Sequence, residues 1–293
     1  MRLTGSLVAL VTPMQPDGAV DETALESLID WHVAAGTQGL VIAGTTGESP
    51  TLTSDEHARL IRQAVECAAG RIPVIAGTGS NSTVQTLDLS ERAAAAGAEA
   101  LMLVVPYYNK PPQRALAVHF RAVAAAVELP ILLYNVPSRT VTDLLPATVA
   151  ELAEVPNIVG IKEASARLER VTELRRLCGP DFLLFSGDDA TAAAFMLAGG
   201  DGVVSVSANV VPERVRHLCD AACAGDLVRT RWLDGELATL NRALFVESNP
   251  IPVKWALKRM GKIQSGIRLP LLPLDEAHRA TVEAALTDLG VLA

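Results

Sequence analysis

The sequence predicts an α/β fold: a (β/α)8 TIM barrel with a C-terminal helical extension. Three observations carry that expectation. Short β-rich runs alternate with longer amphipathic segments eight times within about 225 residues. The short runs are almost continuously apolar, as strands are when a parallel sheet is covered on both faces. Beyond residue 225 only helical periodicity is left. A doubly wound open sheet is the alternative; open sheets rarely use so many evenly spaced units.

The predicted strands are Leu7–Thr12, Gly39–Ala43, Pro73–Gly77, Ala100–Val105, Pro130–Asn135, Ile158–Lys162, Phe182–Ser186 and Gly202–Val206. The helices between them are Asp21–Ala35, Asp55–Ala69, Thr83–Ala96, Arg114–Glu128, Pro146–Val155, Leu168–Cys178, Ala190–Ala198 and Pro212–Ala224. Thr53 and Glu56 have capping-box spacing. Gly36, Gly70, Gly97 and Gly225 stand where a left-handed residue ends a helix. Residues 1–225 would form the barrel. Residues 226–293 would add three helices, Leu227–Phe245, Val253–Met260 and Asp275–Leu289. No Pro/Ser/Gly linker separates the two, so the extension is expected to pack on the barrel.

Composition narrows the function. Of 293 residues 49% are hydrophobic and 20% charged, which supports a large core and excludes a disordered chain. The net charge of −8 argues against nucleic acid, which needs clustered cations. No apolar run reaches the ~18 residues needed to span a bilayer, so no membrane partner is expected. The start, Met1-Arg2-Leu3-Thr4-Gly5, lacks a secretory pattern. Cys67, Cys178, Cys219 and Cys223 have no CxxC spacing, and the last two are expected to face the core. Free thiols point to the cytoplasm. His32, His57, His119, His217 and His278 are scattered, so no zinc site is expected. Gly77-Thr78-Gly79 lacks the third glycine of a dinucleotide loop.

Barrel enzymes carry their chemistry at the C-terminal ends of the strands. Lys162 ends a strand with no other charge. It is either a stem reaching solvent at the rim or a desolvated amine that forms Schiff bases with carbonyl compounds. Tyr134 shares a strand face with Leu132 and is either a proton relay toward Lys162 or a barrel-filling aromatic. Thr45 and Thr46, between glycines, suit a carboxylate or an ordinary tight turn. Arg139 is either a carboxylate clamp or a surface loop residue. Asp188 and Asp189 read as caps of the following helix. All three tyrosines, Tyr107, Tyr108 and Tyr134, fall on this face.

Taken together, Gly44-Thr45-Thr46-Gly47-Glu48, Pro106-Tyr107-Tyr108-Asn109, Tyr134 to Thr140, Gly160-Ile161-Lys162-Glu163-Ala164, Ser186 to Asp189 and Ser248 to Lys254 resemble the dihydrodipicolinate synthase family of pyruvate-dependent class I aldolases. The resemblance runs in order along essentially the whole chain. It implies that Lys162 forms an imine with pyruvate and that Thr45 and Thr46 hold the pyruvate carboxylate. Tyr134 would be the general acid/base, linked through Thr45 to Tyr108 of a neighbouring subunit. Arg139 would bind the carboxylate of L-aspartate 4-semialdehyde. Gly187 and Val204 would supply backbone groups near the imine. No metal or organic cofactor is implied. A homotetramer built from tight dimers is implied, as is a place in diaminopimelate and lysine biosynthesis. The alternative is a lyase acting on a keto-deoxy sugar acid or N-acetylneuraminate; a cation at position 139 favours the synthase branch. Ser49, His57, Asn81 and Tyr107 match the family's lysine-inhibition pocket. Ser54 and Gln85 depart from it, so weak or absent inhibition by lysine is expected.

Overall fold

A computed structural model describes residues 3–292; Met1 and Arg2 of the N-terminal reading lie outside them. Eight parallel strands close into a barrel in sequence order. They are β1 (Gly5–Ala9), β2 (Gly39–Ile42), β3 (Val74–Gly77), β4 (Ala100–Val104), β5 (Ile131–Asn135), β6 (Ile158–Glu163), β7 (Leu183–Ser186) and β8 (Gly202–Ser205). The helices are α1 (Glu22–Ala34), α2 (Ser54–Ala68), α3 (Thr83–Ala95), α4 (Gln113–Ala126), α5 (Pro137–Thr140), α6 (Pro146–Leu152), α7 (Glu169–Cys178), α8 (Ala192–Leu197), α9 (Pro212–Cys223), α10 (Leu227–Ala243), α11 (Ile251–Arg259) and α12 (Glu276–Asp288).

Strand side chains alternate between two cores. Leu7, Val41, Ile75, Met102, Leu132, Tyr134, Phe185 and Val204 fill the barrel. Val8, Leu40, Val74, Leu103, Leu133, Ile161 and Leu184 face the surrounding helices. Both faces are therefore apolar, which is why the strands read as continuous runs. Each fully buried Leu, Val or Phe contributes roughly 1.5–3 kcal/mol. The helix-facing cluster continues into Leu233, Leu237 and Leu240 of α10 and Val282 and Leu286 of α12.

Helix ends follow the local chemistry. Thr53 and Glu56 form the reciprocal capping box that starts α2. Gly36, Gly70, Gly97 and Gly225 all adopt positive φ after their helices. The largest departure is β1, which starts at Gly5 and leaves the sheet after Ala9 instead of running to Thr12. Leu10 and Val11 are buried, but the Val11 amide donates to the Asn209 side chain at 3.1 Å. The Leu10 amide still donates to the Val41 carbonyl of β2 at 3.0 Å, so only from Val11 on does the apolarity reflect the rim loops instead of strand pairing. β6 runs one residue past Lys162, so Glu163 is a second charge in that strand. Cys219 is buried but Cys223, the last residue of α9, is exposed.

Candidate active site

Lys162 and Tyr134 are direct cross-strand partners at the ends of β6 and β5. Both side chains point into the barrel. Lys162 is only 5% exposed, and its Nζ lies 4.2 Å from the centre of the Tyr134 ring. Phe185 is the cross-strand neighbour on the other side. The amine is thus stripped of bulk water and set against an aromatic face. A Cβ on Gly187 would stand 2.9 Å from Lys162 Cε, so only glycine lets the β7 backbone approach the lysine this closely. The Gly187 amide donates to the Glu163 carbonyl at 2.8 Å. Val204 lies in the same inner cluster as Tyr134.

Above the pair opens a cavity of about 310 Å³, with Thr45, Tyr134 and Arg139 among its lining residues. Lys162 is not itself in the cavity wall; its Nζ packs on the Tyr134 ring, which is. The turn after β2 is tightly built: Ala43 and Glu48 both have positive φ, and Thr12 Oγ1 donates to the Gly47 carbonyl at 2.7 Å. Thr46 is buried, and its hydroxyl accepts from Asn249 Nδ2 at 2.9 Å. The Thr46 proton is thereby left free to serve another acceptor. Arg139 lies on the short helix α5, not on a loop, and donates to the Asn249 carbonyl at 3.1 Å. Among the described residues Thr45 and Tyr134 share the cavity wall without a direct hydrogen bond. Tyr108 is not brought into the site by its own chain; it is 86% exposed on a turn with φ of 73°.

The same cavity extends past Ser49, Ser54, His57, Gln85 and Tyr107. Gln85 Oε1 accepts from Ser80 Oγ at 2.6 Å. Burial pushes the His57 pKa down against the opposing pull of the Gly77 carbonyl, 2.8 Å from Nε2.

Three buried polar groups support the site in roles the sequence reading did not assign. Asn249 joins Thr46 to Arg139, yet a lone Asn before Pro reads as a turn. Glu48 pairs with Lys254 of α11, with exposures of 0% and 5% for the two side chains. Lys254 amid the apolar residues of α11 was the available signal. Burial pulls the Lys254 pKa down, and the Glu48 carboxylate only partly offsets it. Asp189 does not cap a helix as Asp188 does; it crosses to β8 and accepts from Ser205 Oγ and the Val206 and Ser207 amides. Desolvation raises its pKa despite those hydrogen bonds.

The model of the dihydrodipicolinate synthetase family matches residues 2–289. The chain is 55% identical over 291 residues to the 4-hydroxy-tetrahydrodipicolinate synthase of Azoarcus sp., covering 99% of this chain and 100% of that one. It is 56% identical to the synthase of Aromatoleum aromaticum, covering 99% of each. Among solved structures, the pyruvate complex of the chloride-inhibited dihydrodipicolinate synthase from Acinetobacter baumannii superposes with a TM-score of 0.98 at 48% identity, over 99% of this chain and 100% of that one. The lysine-bound enzyme from Cyanidioschyzon merolae gives a TM-score of 0.96 at 39% identity, over all of both chains. With a matching barrel, a lysine and tyrosine paired at its mouth, and relatives of this likeness along the full length, the chain belongs to the dihydrodipicolinate synthetase family.

Proposed function

We propose that the chain condenses pyruvate with L-aspartate 4-semialdehyde to 4-hydroxy-tetrahydrodipicolinate, through a Schiff base on Lys162. The observation that carries this reading is the buried Lys162 amine held against Tyr134, whose ring lines an open cavity. The unprotonated amine attacks the keto carbon of pyruvate, and water leaves as the imine forms. The imine draws electrons from the methyl group. A proton passes from that carbon to a base, the role we give to Tyr134, and an enamine results. The enamine carbon attacks the aldehyde, whose oxygen takes a proton. The substrate's own amine then adds to the imine carbon, closing the ring and expelling Lys162.

Thr45 and Thr46 are assigned to the pyruvate carboxylate, with Asn249 supporting Thr46. Arg139, on the cavity wall, is assigned to the carboxylate of the aldehyde. Gly187 and Val204 are assigned to the imine through their backbone groups. Tyr108 is assigned to the Thr45–Tyr134 relay of a neighbouring copy, in a homotetramer; its outward position in its own chain supports that assignment. Measuring mass by sedimentation, with Tyr108→Phe as the activity variant, tests this part.

The central test is borohydride reduction in the presence of pyruvate, followed by peptide mapping. The expected adduct sits on Lys162; an adduct elsewhere, or none, overturns the mechanism. Offering the purified protein the aldehyde with pyruvate, and separately a keto-deoxy sugar acid, tests the substrate. Turnover of the sugar acid alone would favour the lyase reading.

A further inference from the structure

Behind Tyr134 and Lys162, on the opposite face of the same two strands, lies a second cross-strand pair, Asn135 and Glu163. Both are buried, and Asn135 Nδ2 donates to Glu163 Oε2 at 3.0 Å and to Asp143 Oδ1 at 2.9 Å. Arg170 of α7, 2% exposed, donates to Glu163 at 3.2 Å and to Asp143. Burial alone would lower the Arg170 pKa; the Asp143 and Glu163 carboxylates overcome it and hold it above its ordinary value.

The cluster also grips the segment after α5. The Leu144 amide donates to Asn135 Oδ1 at 2.9 Å, and the Leu144 carbonyl accepts from Arg170 at 3.2 Å. From α4, Gln113 Nε2 donates to the Asp143 carbonyl at 2.7 Å, and Gln113 Oε1 accepts from the Leu145 amide at 3.1 Å. Between this anchor and Arg139 stands Val141, with φ of 64°. A β-branched residue in that region is strained and persists only where its surroundings over-determine it. The anchor at Asp143–Leu145 is what over-determines it.

We propose that Asp143, acting with Asn135, Glu163 and Arg170, is a positioning residue that holds the α5 segment so that Arg139 meets the second substrate. The strand ends bearing Tyr134 and Lys162 and the segment bearing Arg139 are thus tied to one buried cluster. Asp143 touches no substrate. Its ion pair with Arg170 sits on the helix side of the sheet, and its carboxylate is the most accessible charge in the cluster at 30% side-chain exposure.

The inference rests on the synthase reading, and its test separates the two. Wild-type protein is first reduced with borohydride and pyruvate; failure to trap Lys162 defeats the reaction reading itself. Given trapping, Asp143→Asn is expected to raise KM for the aldehyde about 5–10-fold, leaving KM for pyruvate and the trapping yield within twofold of wild type. In an Arg139→Ala background the same substitution is expected to add no further rise. Gln113→Ala loosens the other end of the anchor without touching the buried charges. It is expected to give the same selective rise, and it decides the matter if Asp143→Asn does not fold. A purely structural role would lower the active fraction and kcat with both KM values unchanged. That outcome, an equal rise in both KM values, or additivity with Arg139→Ala overturns the proposal.

Discussion

Lys162 and Tyr134 meet because two neighbouring strands stop in the same register. Lys162 was legible in the sequence as a cation closing an apolar run, and Tyr134 by its offset of two from Leu132. Asn249 was not legible in that way. It falls in the Ser248 to Lys254 stretch that carried the resemblance, but its partners lie 203 and 110 residues away, so no local pattern gives its contacts. Tyr134→Phe is expected to cut kcat by roughly 10²–10⁴-fold, the usual share of a general acid/base, while slow trapping of pyruvate persists. Single-turnover kinetics check this. Asn249→Ala removes the donor that orients the Thr46 hydroxyl. A lost hydrogen bond of about 1 kcal/mol corresponds to a rise of about fivefold in KM for pyruvate. Steady-state titration of pyruvate would show it, and an unchanged KM would count against the role given to Thr46. Gln85, in the cavity wall, would offer a bound lysine ammonium a neutral amide instead of an anion. The lost pairing should cost on the order of 1.5–3 kcal/mol, so inhibition by lysine is expected to be absent below millimolar concentration in a steady-state assay.

Every predicted barrel element exists, and most ends shift by only one or two residues. The exceptions are α6, which stops at Leu152 instead of Val155, and β1, because burial under the rim loops mimics the apolarity of a strand. Polar contacts between elements were the least readable part. The turn after β2 is locked to α11 by the Glu48–Lys254 pair, and the Glu48 carboxylate also accepts from the Arg268 amide at 3.1 Å. Breaking a buried pair strands one charge and typically costs about 3–5 kcal/mol. Glu48→Gln should therefore lower the denaturant midpoint sharply, whereas Glu48→Gln with Lys254→Met should recover much of the loss. Equal instability in both variants would show that the turn depends on shape and not on the pair.

Over the whole molecule, His32 and Glu56 have large shifts that bear on the response to acid. Burial, helped by Lys262, pulls the His32 pKa down from 6.5 to about 3. The unfolded chain then takes up a proton that the folded one refuses, so stability falls as pH drops from 6.5 toward 3. Hydrogen bonds from Arg268 hold the Glu56 carboxyl down, from 4.5 to about 2. Its contribution is complete above pH 4.5 and disappears as pH falls toward 2. Urea titrations across this range should show a shallower decline below pH 6.5 for His32→Gln and below pH 4.5 for Glu56→Gln. We propose the division into a barrel of residues 1–225 and an extension of residues 226–293, and expect a chain ending at residue 225 to bind no pyruvate, since the turn after β2 would lose both Asn249 and Lys254.

That dependence has a consequence during synthesis. A ribosome that has released all eight strands has released the lysine we propose as the nucleophile, but not the groups that brace the turn after β2. The nascent barrel would stay inert toward keto acids until its final stretch emerges and docks, so that chemical competence arrives together with completion of the fold.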